Sequence, residues 1–99
     1  MLYHNVMWKF KDAEGKTKAQ NVDIVKAGLE ALPEKVSEIK SLKFIKNEVV
    51  CDRNFDAMLI VVTENEADLQ AYKVNPEHKK VAAYVAKVTE GRAAVDYYK

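Results

Sequence analysis

The sequence predicts an α+β fold: a four-stranded antiparallel sheet with helices on one face. Three observations predict it. Apolar residues recur at three- and four-residue steps in two stretches, as on the inner stripe of a helix. Four other stretches alternate or run apolar over strand length. Their order is strand, helix, strand, strand, helix, strand. The chain's 99 residues suffice for one domain, 1–99, and not for two.

Residues 2–11 read as the first strand. Leu2, His4, Val6, Trp8 and Phe10 share one face; Tyr3, Asn5, Met7, Lys9 and Lys11 share the other. Asp12 to Lys16 is a polar break with Gly15 suited to a turn. Residues 18–32 read as a helix, with a shorter one reaching about Ile39. Val22, Val25, Leu29, Leu32, Val36 and Ile39 make its apolar stripe, and Pro33 should kink it. Gly28 permits either close packing or room for a ligand.

Residues 42–51 form the second strand, of imperfect alternation. Asp52-Arg53-Asn54 connects it to Phe55–Val62, the strongest strand signal in the chain. That run is apolar on both faces and should be central. Residues 65–73 read as a helix capped by Asn65 or Thr63. Pro76 fits the first position of another helix, which runs to about Val88 with Val81 and Val85 inward. Gly91 breaks the chain before a last strand, Arg92 to Tyr98. This order is the split βαβ arrangement called ferredoxin-like.

One layer of helices leaves a sheet face open. That face is expected to carry Val6, Trp8, Phe10 and part of the Phe55–Val62 run. Left in water it would be a large apolar patch. A twofold homodimer, sheet face to sheet face, is the simplest closed solution. A partner protein or a ligand is the alternative cover.

Sixteen basic and fifteen acidic residues give a net charge of +1. Such a balance supplies no long-range attraction to nucleic acid or an anionic membrane. No apolar run approaches membrane-spanning length, and the N-terminal residues lack the pattern of a secretory signal. A cytoplasmic location is the expectation. The single cysteine, Cys51, excludes an internal disulfide. Two histidines and scattered carboxylates lack metal-ligand spacing. There is no Gly-rich phosphate loop and no nucleophile elbow. No cofactor is expected, and no feature selects haem over another planar apolar ligand.

Four blocks carry a resemblance. His4-Asn5-Val6-Met7-Trp8-Lys9-Phe10-Lys11 is similar to the opening strand of the stress-responsive dimeric A/B barrel domains. Phe55-Asp56-Ala57-Met58-Leu59-Ile60-Val61 is similar to their central strand. Tyr72-Lys73-Val74-Asn75-Pro76-Glu77-His78, followed by Val81, resembles their second-helix motif. Arg92, Val95, Asp96 and Tyr97 resemble their last strand. The blocks span nearly the whole chain in the family's order.

The resemblance implies a ferredoxin-like protomer that pairs into an eight-stranded dimeric barrel. The family includes plant enzymes that cyclise linear polyketide thioester products. In those, a first-strand histidine lines the pocket and a second histidine acts as base beside a tyrosine. His4, His78 and Tyr72 match those places. Three departures point away from the same substrate, the first being Trp8, which reduces pocket volume if it points inward. No tyrosine stands near Ala27 and Gly28, and Asn75 replaces a histidine common in relatives.

The candidate site is therefore His78, Tyr72 and His4, with a pocket of Val6, Trp8, Gly28, Leu59 and Val61. An imidazole can take up a proton near neutral pH. The leading expectation is a small apolar or aromatic ligand in this pocket. One alternative is a cofactor-free cyclase or lyase on a small carbonyl compound, with His78 as base. The other is a structural dimer without ligand, with His4 merely paired to the final strand or to Asp96.

Overall fold

The structure, a computed structural model, describes residues 1–99. Four strands, β1 (Leu2–Phe10), β2 (Ser41–Lys46), β3 (Ala57–Thr63) and β4 (Thr89–Tyr98), form one sheet in the order β2-β3-β1-β4. All neighbours are antiparallel. Helices α1 (Lys18–Glu30), α2 (Glu66–Val74) and α3 (Pro76–Val88) cover one face. This is the ferredoxin-like βαββαβ fold, with its second helical segment split at Asn75.

The α1 start is fixed by a capping box. Thr17 Oγ1 accepts from the Gln20 amide, and the Gln20 side chain accepts from the Thr17 amide. Val22, Val25 and Leu29 then bury the apolar stripe. The expected second helix to Ile39 is only a 3-10 turn, Leu32–Glu34, with Pro33 inside it. Leu32, Val36 and Ile39 are still buried, as the spacing predicted.

Buried Asn21 ties three parts together. Its Nδ2 donates to the Lys11 and Ala13 carbonyls, and its Oδ1 accepts from the Tyr84 hydroxyl. The chain leaving β1 is thereby joined to α1 and α3.

Two strand ends differ from expectation. β2 stops at Lys46 rather than Cys51, because side chains capture the backbone beyond it. Asn47 Nδ2 donates to the Val49 carbonyl, and Asn54 Nδ2 donates to Asn47 Oδ1. β4 begins at Thr89, with Gly91 inside the strand opposite Lys9. Gly91 does not break it; a register shift between Lys9 and Phe10 absorbs the irregularity.

The main correction concerns the open face. Val6, Trp8 and Phe10 are buried beneath the helices with Leu2 and His4. The alternation grouped these residues properly, but the helices take the more apolar face. Register places Tyr3, Asn5 and Met7 opposite Val62, Ile60 and Met58 on the open face. Ile45 of β2 and Val95 and Tyr97 of β4 complete it. These last three and Met7 are exposed. The face is apolar after all: Met58, Ile60 and Val62 come from the Phe55–Val62 run, and Tyr3, Asn5 and Met7 stand where Val6, Trp8 and Phe10 were expected.

Candidate functional site

His4 lies on the inner face of β1, 5% exposed. Register sets Asp96 of β4 directly across from it. His4 Nδ1 donates to Asp96 Oδ1 at 2.6 Å. The neutral imidazole therefore keeps its lone pair on Nε2.

The second histidine is placed by the break between α2 and α3. Asn75 is extended, and Pro76 brings no amide hydrogen. In an unbroken helix the Lys73 carbonyl would accept from the Glu77 amide. That amide is taken instead by Asn75 Oδ1 at 2.9 Å. His78 fills the vacancy: its Nδ1 donates to the Lys73 carbonyl at 3.0 Å. A carbonyl cannot donate, so Nδ1 carries the hydrogen and Nε2 is free to accept.

The same turn folds His78 over Tyr72. Their ring centroids are 4.4 Å apart, with the planes tilted by 48°. Tyr72 is 1% exposed. Its hydroxyl forms no hydrogen bond within the chain, and no enclosed side-chain polar atom lacks a partner. The hydroxyl therefore opens onto a cavity.

That cavity, about 450 Å³, lies between the sheet and the helices. His4, Tyr72 and His78 all line it, as do Val6, Trp8 and Leu59. Its volume falls in the range typical of small-molecule sites. Gly28 and Val61, also read as pocket residues, are not on its wall. Gly28 serves close helix packing: a Cβ there would stand 3.3 Å from Val81 Cγ1 on α3. Val61 is wholly enclosed in the core.

Burial lowers both imidazoles below their ordinary pKa. For His4 the Asp96 contact opposes that shift without cancelling it. For His78 the Lys73 carbonyl does the same. Burial raises the Tyr72 phenol, so it stays protonated. The cavity thus presents two neutral bases and one hydroxyl donor.

Lys73 and Arg92 also line the cavity, with Leu29, Ala82 and Val85. These residues are not among those expected from the sequence. Arg92 had a usable signal: it shares a strand face with Ala94 and Asp96, opposite Trp8, Val6 and His4. Lys73 had none, since adjacency to Tyr72 says nothing of direction. No group of three or more His, Cys, Asp or Glu side chains is placed to hold a metal ion. No helix is long and apolar enough to cross a membrane.

Fold and cavity together define a ferredoxin-like α+β protein with an apolar, histidine-bearing hollow under its helices. The chain belongs to the family described as the stress responsive A/B barrel domain, whose model matches residues 2–99. Among solved structures it is similar to a dimeric protein of unknown function from Bacteroides fragilis. That match has 28% identity and a TM-score of 0.79, and covers 97% of this chain and 93% of the other. A dimeric ferredoxin-like protein of unknown function from Thermobifida fusca has 23% identity and a TM-score of 0.83, with 97% and 88% covered. The hydroxynitrile lyase of Passiflora edulis shares the fold at 16% identity and a TM-score of 0.82, with 97% and 90% covered. No curated protein matches the sequence.

Proposed function

We propose that this chain forms a homodimer through its open sheet face and binds a small apolar or aromatic molecule in the cavity beneath its helices. One observation carries the binding reading. His4, Tyr72 and His78 come from three separate elements and converge on one hollow walled by Val6, Trp8 and Leu59. Apolar walls hold a ligand body, and few polar groups orient it.

The dimer reading rests on Met7, Ile45, Val95 and Tyr97, exposed together on one face. The relatives from Bacteroides fragilis and Thermobifida fusca, described as dimeric, support it. Burial of apolar area contributes roughly 25 cal/mol per Å², before the costs of association.

Titration of the isotope-labelled protein with small aromatic compounds, followed by amide NMR, tests the pocket. Shifts should concentrate at His4, Tyr72, His78 and Ala82. No shift at these residues with any compound would return the chain to a structural dimer without ligand.

A second reading is favoured by the free Nε2 of His78. A neutral imidazole whose Nδ1–H is held by a carbonyl can take a substrate proton at Nε2. The Tyr72 hydroxyl, beside it, can donate to the oxygen on which negative charge develops. Those are the parts of a cofactor-free lyase or cyclase acting on a small carbonyl compound. Full activity in His78→Ala would eliminate this reading.

A further inference from the structure

We infer that the molecule held in this cavity is a small apolar or aromatic carboxylic acid, its carboxylate received by Lys73 and Arg92. The inference rests on the pocket reading above and adds a charge to the ligand.

The argument starts from unmatched charge. Two cationic side chains line the cavity, and no aspartate or glutamate does. Of the sixteen cationic side chains only six, all lysines, pair with a carboxylate, so what sets Lys73 and Arg92 apart is their place on a cavity wall that holds no acid. Lys73 and Arg92 pair with none. The nearby carboxylate of Asp96 is engaged by His4. The two cations come from different walls, one at the end of α2 and one on β4 opposite Trp8. Both lie near enough to His4 to disfavour its protonation. They therefore act on the same small volume.

Their exposure fixes where the acid group would sit. Arg92 is exposed and Lys73 half-buried, whereas His4 and Tyr72 are buried. The cations stand toward solvent, and the aromatic and aliphatic walls lie deeper. A ligand fits this arrangement with its apolar body inward and its carboxylate outward. A guanidinium receives a carboxylate through two parallel N–H donors, and an ammonium adds a point charge. The carboxylate would keep contact with water, so its desolvation cost stays small.

The test compares 4-phenylbutyrate with 4-phenylbutyramide, its neutral counterpart, by amide NMR titration at low ionic strength. Low salt keeps the exposed Arg92 least screened. The acid should bind about tenfold or more tightly than the amide, the size expected for a charge-assisted pair. In Lys73→Met/Arg92→Met the acid should lose its advantage over the amide. The charge-keeping Lys73→Arg/Arg92→Lys should retain it. Equal binding of acid and amide to the unaltered protein, with shifts at His4 and Tyr72, would overturn the inference and leave the pocket reading standing. An acid preference that survives the double methionine variant would overturn the assignment to these two cations. No shift at cavity residues with either probe would defeat the pocket reading and the inference with it.

Discussion

Asp96 Oδ1 lies 2.6 Å from His4 Nδ1, across the β1–β4 pair, though the two residues are 92 positions apart in the chain. The Asp96 side chain is 40% exposed while that of His4 is buried. The contact therefore orients the imidazole more than it stabilises the fold. In Asp96→Ala, stability should change by less than about 1 kcal/mol, as for other solvent-screened pairs. The His4 ring should instead lose its fixed tautomer. Nitrogen NMR of the imidazole would read that change, and a tautomer balance identical to the parent would refute it.

Both histidines bind protons less readily in the folded chain than the ordinary value of 6.5. Below that value the unfolded chain takes up more protons than the folded one. Their contribution to stability is therefore present above 6.5 and lost as pH falls. Melting temperature should drop as pH falls below about 6.5. The drop should be shallower in His4→Gln/His78→Gln. An equally steep profile in that variant would show that other groups dominate.

Asn21 satisfies two backbone carbonyls and a tyrosine hydroxyl with one buried amide. Asn21→Leu removes both donors and the acceptor at once. Unpaired buried polar groups cost about 1–3 kcal/mol each, with relaxation recovering part. A loss of about 2–4 kcal/mol is expected from the urea midpoint. A loss under about 1 kcal/mol would mean that water replaces the amide without penalty.

At Gly28 two effects compete. Alanine improves helix propensity by about 1 kcal/mol, but its Cβ would meet Val81 Cγ1 at 3.3 Å. Gly28→Ala should therefore be nearly neutral. Gly28→Leu has no such compensation and should cost about 1–3 kcal/mol by forcing α1 and α3 apart. Chemical denaturation of the pair separates propensity from crowding.

The open face provides a separate test. Val95 is 65% exposed on that face, on the edge strand β4 opposite Asn5. The unaltered chain should sediment at twice its 11.2 kDa mass. Val95→Asp should sediment as a monomer while keeping its secondary structure, since the residue supports no interior contact.

Much of this arrangement was legible in the residues. The Asn75-Pro76 signal placed the start of α3, and the double-sided apolar run placed β3 inside the sheet. Alternation showed that Val6, Trp8 and Phe10 belong together. It could not show which way they look, because period two is blind to which face the helices choose. For Arg92 the shared face with Ala94 and Asp96 is legible in the alternation, but not that this face looks inward. Strand ends were misread where asparagine side chains compete with the ladder, at Asn47 and Asn54. Tyr72 and His78 were suggested by resemblance. Their actual contact depends on a carbonyl released by a helix break, which no periodicity reports. Gly28 admitted two readings, and only the position of Val81 decides between them.

The long span between His4 and Asp96 has a further consequence during synthesis. β1 emerges first and β4 last among the four strands, yet the two are sheet neighbours. A nascent chain that has made α1, β2 and β3 still lacks one wall of the cavity and the partner of its first histidine. Closing so long a loop is slow, and the apolar inner face of β1 must stay sheltered until then. Binding competence should therefore arrive in one step with the last strand, rather than growing as the helices form.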